Sequence, residues 1–272
     1  MISVVILTLN EAANLPRCLA SVAWSDDVVV LDSGSTDATV EVAQAHGARV
    51  LTRAFDSFAG QRNHAMEHAG FRHPWVLHLD ADEVVTPALR DELVVIAETA
   101  SAVYPVYRVA AKIIFMGRWL KHAGMYPSYQ VRFGRAEALR FVDHGHGQRE
   151  VQPPGQVGTL IEPLEHYNFS KGVNDWFARH LRYADREARL LLAERAQPLR
   201  PLGLFSADAT MRRRALKRLA GRLPMRPWLR FVYAGVLRGG FLDGMAGLRY
   251  ARMLAIYQQF IDLMVSERKA GG

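Results

Sequence analysis

Along the first third of the chain, apolar residues come in short unbroken runs, each followed by a polar cluster and then by helical spacing. Ile2–Leu9 reads as a buried strand, and Glu11–Val22 as a helix with Asn10 placed to cap it. Asp27–Asp32 (DVVVLD) is a second strand, Thr39–His46 a helix stopped by Gly47, and Ala48–Thr52 a third strand. Ser57–Ala69 has helical spacing, and Trp75–Leu79 is a fourth strand. Runs this apolar, alternating with helices, predict βαβ units. The fold class is therefore α/β, a mostly parallel sheet flanked by helices on both faces.

Further along, Pro87–Ala100 predicts a helix, and Val106–Phe115 and Gln130–Phe133 predict strands that make the sheet mixed. Residues 134–165 read as irregular, because Gly145, Gly147, Pro153, Pro154 and Gly155 break any long element. Lys171 to Arg195 is helical, with Trp176, Phe177, Leu181, Ala184, Ala188, Leu191 and Leu192 on one apolar side. Pro198 and Pro201 mark a boundary, which separates an α/β domain over 1–197 from a helical extension over 198–272.

Within the extension, Met211–Arg226 splits cleanly. Ala215, Leu216, Leu219, Ala220 and Leu223 fall on one face; Arg212, Arg213, Arg214, Lys217, Arg218 and Arg222 fall on the other. That is a basic amphipathic helix suited to a membrane interface. Trp228–Leu237 is shorter than the roughly 20 apolar residues a span requires, and Phe241–Met264 contains Asp243, Arg249, Arg252 and Asp262. Lying on a membrane is the expectation, not crossing it.

Charge sharpens this division. Residues 1–150 carry 14 Lys+Arg against 17 Asp+Glu, a net of −3, whereas residues 151–272 carry 20 against 10, a net of +10. A basic second half suits an anionic membrane surface, a phosphorylated substrate or nucleic acid. Nucleic acid is disfavoured, since the basic segment lacks interleaved aromatics and no binding motif occurs. The single cysteine, Cys18, excludes an internal disulfide framework and fits a reducing compartment, the cytoplasm. The N-terminal run has no basic flank or cleavage site and reads as a strand, not a signal peptide.

Ligands of parallel sheets sit beyond the carboxyl ends of the strands. Three polar clusters fall there: Thr8-Leu9-Asn10-Glu11, Asp32–Asp37 and Asp80-Ala81-Asp82. Two carboxylates one residue apart at a strand end can hold a hard divalent cation, Mg²⁺ or Mn²⁺, whose open positions phosphate oxygens fill.

The order and spacing of Thr8–Glu11, Leu31-Asp32-Ser33-Gly34-Ser35-Thr36-Asp37-Ala38-Thr39, Arg62-Asn63 and Asp80-Ala81-Asp82 resemble the family 2 glycosyltransferases of GT-A fold. The likeness is closest to the branch that contains lipopolysaccharide-core glucosyltransferases. It covers residues 1–85 closely and continues more loosely through His166-Tyr167-Asn168-Phe169. The resemblance implies a nucleotide-sugar donor, with a UDP-sugar the best match, and a glycan or lipid-linked acceptor. It implies that Asp80 and Asp82 hold the cation, that Thr8, Asn10 and Glu11 lie around the nucleotide, and that Asp32 and Asp80 meet the base or ribose. Arg62 becomes a base or diphosphate contact. An inverting transfer requires a general base, for which Glu150 is the first candidate and Asp143 the second. His146 or His166 would complete the metal or diphosphate site. The expected setting is the cytoplasmic face of the inner membrane. A polyprenyl-phosphate sugar synthase would share the nucleotide site but needs no strong base.

Overall fold

The computed structural model describes residues 1–99, 103–144, 147–151, 154–196, 208, 211–212, 215–216, 219, 221–223 and 225–270. They form two compact units: Met1–Trp119 with Tyr126–Lys171, and Leu120–Met125 with Gly172–Gly272. The division thus falls at Lys171, upstream of the boundary suggested by Pro198 and Pro201. The long helix expected to close the first domain is part of the second unit.

In the first unit, β1 (Ile2–Thr8), β2 (Val28–Asp32), β3 (Arg49–Thr52) and β4 (Trp75–Asp80) form a parallel core in the order β3-β2-β1-β4. Every side chain of β4 up to Leu79 is buried, which is why these strands read as unbroken apolar runs. Alternation along β1 divides the core between two faces. Ile2, Val4 and Ile6 pack with α1 (Leu15–Ser21) and α4 (Pro87–Glu98); Val5 packs with α3 (Phe58–His68). The remaining early helix, α2 (Thr39–Ala45), leads into β3.

The sheet then becomes mixed, as expected. β8 (Tyr129–Arg135) runs antiparallel to both β4 and β6 (Val106–Phe115), and β12 (Leu164–His166) is parallel to β6. β12 also pairs antiparallel with β5 (Glu83–Val84), placing His166 opposite Glu83. Short β7 (Arg118–Trp119) and β11 (Val157–Thr159) add to β6. The stretch after residue 134 is therefore not irregular. It holds β11, β12 and a separate ribbon, β9 (Phe141–His144) with β10 (Gly147–Glu150). Among the described residues this ribbon is a sheet of two short strands, too brief for periodicity to reveal.

The second unit is helical. α5 (Gly172–Ala196) buries Ala184, Ala188 and Leu191 against Ile261 and Val265 of α7 (Gly244–Ala270). Between them in sequence lies α6 (Arg226–Val232). The buried Asp243 accepts the N–H groups of His122 at 2.9 Å and Ala123 at 2.8 Å, which fixes residues 120–125 in this unit. The expected amphipathic helix at 211–226 lies partly outside the described residues; Leu216 and Leu223, assigned to its apolar face, are exposed.

One buried carboxylate anchors the far edge of the first unit. Asp27 accepts from Ser3 Oγ at 2.6 Å, Arg49 Nη2 at 2.7 Å and the Arg72 N–H at 2.8 Å. Burial alone would raise its pKa, but these donors outweigh it and hold the carboxyl below the usual range. A depressed folded pKa means that the stabilisation is complete above the unfolded carboxylate value, about 3.9, and is lost as pH falls through the folded one. Asp27→Asn is therefore expected to flatten the acid limb of a stability–pH curve, measured by thermal melts below neutrality.

Candidate active site

Strand register brings the three polar clusters to one edge. Thr8 stands beside Asp32 across β1 and β2, and Leu7 stands beside Asp80 across β1 and β4. The clusters sit at the carboxyl ends of these strands, where no further ladder bonds constrain the chain.

The first pair of loops is braced by side chains. Asp32 is buried; one oxygen accepts from Thr8 Oγ1 at 2.9 Å and Ser35 Oγ at 2.5 Å, the other from the N–H groups of Gly34 at 2.9 Å and Ser35 at 2.7 Å. Thr8 and Asp32, expected at the nucleotide, thus shape the turn that frames the space. Asn10 does not cap α1. It adopts φ +56°, and its Oδ1 accepts the Thr36 N–H at 2.7 Å while its own N–H donates to Ser35 Oγ at 2.7 Å. The helix begins later, with Asn14 at its N-cap, and Glu11–Asn14 form a turn. Asparagine tolerates this left-handed backbone; a β-branched residue does not. Asn10→Val should cost about 1–2 kcal/mol in stability and loosen the loop, whereas Asn10→Gly should lose only the side-chain bond to Thr36. Thermal denaturation of the two variants separates these effects.

Glu11 pairs with Lys171 Nζ at 2.5 Å and accepts from Asn14 Nδ2 at 2.7 Å. Burial raises its pKa, Lys171 and Asn14 oppose the rise, and the charge of Asp82 adds to it.

Asp80 sits in a clamp of two buried arginines. Its Oδ1 receives Arg62 Nη2 at 2.6 Å and its Oδ2 receives Arg132 Nη2 at 2.7 Å. Arg132 also reaches Glu83 Oε1 at 2.8 Å, and Glu83 Oε2 accepts the Asp80 N–H at 2.9 Å. Nε and Nη1 of Arg62 and Nη1 of Arg132 are buried donors without a partner among the described residues. The Glu83 carboxyl is pushed up to about 8, by burial first and then by the charge of Asp80. Arg132 and Glu83 were not among the sequence candidates. A charged residue inside the otherwise buried stretch of β8 was the available signal.

Asp82 faces His166 Nε2 at 3.4 Å, and its carbonyl accepts the Tyr167 N–H at 2.8 Å. For His166, burial disfavours the charge, but Asp82, then Glu83 and Asp80, raise its pKa to about 9. Of the two carboxylates expected to hold a cation, Asp80 has both oxygens on guanidinium groups, whereas Asp82 faces His166. Among the described residues no group of three or more His, Cys, Asp or Glu side chains converges as a preformed metal site. One carboxylate and one imidazole fit a divalent ion that takes its remaining ligands from water and a diphosphate, provided the ion displaces the proton that Asp82 otherwise holds on His166.

The ribbon carries the candidate bases. Glu150 stands opposite Phe141, and Asp143 opposite Gln148. Phe141 is held to α3 by Asn63, whose Nδ2 and Oδ1 bond its carbonyl and N–H at 2.9 and 3.0 Å. Its ring lies 5.9 Å from the Arg62 guanidinium and 5.3 Å from His78. Phe141 thus links the ribbon to α3 and to the arginine clamp. His146 lies outside the described residues.

Residues 3–147 match the family model described as glycosyl transferase family 2. An uncharacterized glycosyltransferase of Rickettsia bellii is 28% identical over 209 residues, 72% of this chain and 69% of that protein. The lipopolysaccharide core biosynthesis glycosyltransferase LpsC of Rhizobium meliloti is 29% identical over 166 residues, 59% of this chain and 57% of that protein. The aligned part spans between 40% and 69% of the length of the rickettsial relatives. Among solved structures, glucosyl-3-phosphoglycerate synthase of Mycobacterium tuberculosis, in complex with Mn²⁺, UDP and glucosyl-3-phosphoglycerate, has 19% sequence identity and a TM-score of 0.48, covering 70% of this chain and 78% of that one.

Proposed function

Because the chain belongs to glycosyl transferase family 2, we propose that it moves a hexose from a UDP-sugar to a hydroxyl of a lipopolysaccharide or other envelope glycan, inverting the anomeric carbon. The observation that carries this reading is the meeting of the β1 loop, the Asp32 turn and the Asp80–Asp82 clamp at one sheet edge. The name of the Rhizobium meliloti relative supports the acceptor class.

In this reading Thr8, Asn10, Glu11 and Asp32 shape the nucleotide pocket. Arg62 lends positive charge to the diphosphate side of the site, while Asp80 orients both arginines. Asp82 and His166 would hold a divalent ion, Mg²⁺ or Mn²⁺. When bound, that ion would neutralise charge growing on the departing diphosphate. Glu150, or failing it Asp143, takes the proton from the acceptor hydroxyl. The enzyme would work at the cytoplasmic face of the inner membrane, held there by its basic second half, without nucleic acid.

Slow donor hydrolysis needs no acceptor, so a screen of UDP-, GDP- and dTDP-sugars tests the donor. Release of UDP alone is expected, and hydrolysis confined to another nucleotide would refute the assignment. Glu150→Gln should reduce transfer to a hydroxyl acceptor about 10²-fold while leaving UDP affinity unchanged, read by kinetics and calorimetry. Undiminished transfer would remove Glu150 as the base, the behaviour expected of a synthase that uses a lipid phosphate.

A further inference from the structure

In the second unit, large apolar side chains lie outside and small ones inside between α6 and the start of α7. Trp228 is 58% exposed, Leu237 73% and Met245 62%; Tyr233, Phe241 and Leu242 are exposed as well. Beneath them the buried positions are Ala234, Gly235, Gly240, Ala246 and Gly247. A Cβ on Gly240 would stand 2.3 Å from the Ala234 carbonyl, and one on Gly247 would stand 2.0 Å from the Gly240 carbonyl. Backbones pack this closely through small residues where the surrounding medium is itself apolar and large side chains gain by facing it. The turn between the helices, at Gly239 (φ +73°) and Gly240, therefore presents a crest of Leu237, Phe241 and Leu242. In water such a patch is unfavourable and marks a docking surface.

Charge on this segment is mainly positive. Residues 225–262 contain Arg226, Arg230, Arg238, Arg249 and Arg252 against two acids: Asp243, buried on the His122 and Ala123 N–H groups, and Asp262, which pairs with Arg226 at 2.6 Å. The Arg230 guanidinium lies 5.8 Å from the Tyr233 ring, and Arg238 is exposed beside Leu237. Aromatic rings and arginines around an apolar tip match the boundary between lipid headgroups and acyl chains. Among the described residues no helix is long and apolar enough to cross a membrane.

We infer that the helical turn over 228–245 inserts its apolar crest into the interface of an anionic bilayer, with the flanking arginines on the lipid phosphates. This rests on the proposed membrane-face location and assigns the lipid contact to the crest, not to the charge of the 211–226 segment.

The test uses the full chain and vesicles of phosphatidylcholine with and without phosphatidylglycerol, read by flotation at low and high salt. Binding should be at least about tenfold tighter to the anionic vesicles at low salt, the excess falling at high salt. The triple variant Trp228→Ser, Leu237→Ser, Phe241→Ser should lose about tenfold or more in affinity at either salt. Vesicles should shift tryptophan emission to the blue in the parent chain and not in Trp228→Phe, whose crest remains apolar. Equal binding of the triple variant, or no binding by the parent, overturns the inference. So does a parent dimer in light scattering that the triple variant breaks, because the crest would then join two copies. UDP-sugar hydrolysis on the same preparations reports on the enzymatic reading by itself. It should be unchanged in the triple variant, and its loss with vesicle binding intact would fault that reading and leave the crest standing.

Discussion

Asp82→Asn is expected to lower sugar transfer about 10³-fold while the chain still folds, with a lower melting temperature because the pairing with His166 is lost. The side chain is only 16% exposed and faces His166, whereas the carbonyl that accepts the Tyr167 N–H is kept in either variant. What the substitution removes is a negative charge at the place where, in the proposed reaction, a cation meets the leaving diphosphate. Removing one such preorganised electrostatic partner costs about 10²–10³ in turnover in well-studied enzymes. The upper end applies here because the neighbouring carboxylate, Asp80, is held on both sides by arginine. Initial-rate kinetics with a glycan acceptor, beside a thermal melt, read the outcome. A variant that transfers at the parent rate would show that Asp82 holds nothing needed by the reaction.

The second large effect concerns stability. Arg132→Met should cost about 3 kcal/mol and lower the melting temperature by about 10 °C. Arg132 is 3% exposed and serves Asp80 and Glu83 with one nitrogen, so its loss takes the guanidinium from the equally buried Glu83, whose carboxyl must then stay protonated or depend on His166. Breaking a buried pair is costly because the remaining partner stays buried and unanswered. Asp80 is 31% exposed and water can answer part of its charge, which places the figure at the low end. The double variant Arg132→Met, Glu83→Gln should recover part of the loss, since an amide needs no counter-ion. Failure of the double variant to recover any would place the cost in packing and not in charge.

How much of this was legible in the sequence follows from how each element earns its stability. The four parallel strands are buried on both faces, so their apolar runs stood out, and the spacing of the motifs placed Asp32 and Asp80 at the correct edge. Asn10 misled because its residue type suits a cap, whereas the backbone uses it as a left-handed pivot whose partner, Thr36, lies far along the chain. The ribbon over β9 and β10 escaped notice because it pairs only with itself and is held by Asn63 from another element. Arg132 could not be assigned before its two acidic partners were seen to converge from a strand end and a separate short strand. The two-unit division was hidden for a similar reason. Asp243 draws residues 120–125 out of the first unit through a contact no local pattern encodes.

The account depends on a carboxylate and an imidazole that together accept an ion in company with a nucleoside diphosphate. Its most direct test is a titration of Mn²⁺ followed by the paramagnetic resonance of the free ion, with and without UDP, on the parent chain and on Asp82→Asn. UDP should tighten Mn²⁺ binding by about tenfold or more in the parent and have no such effect in the variant. Mn²⁺ binding that ignores UDP, or that is the same in both proteins, would contradict it.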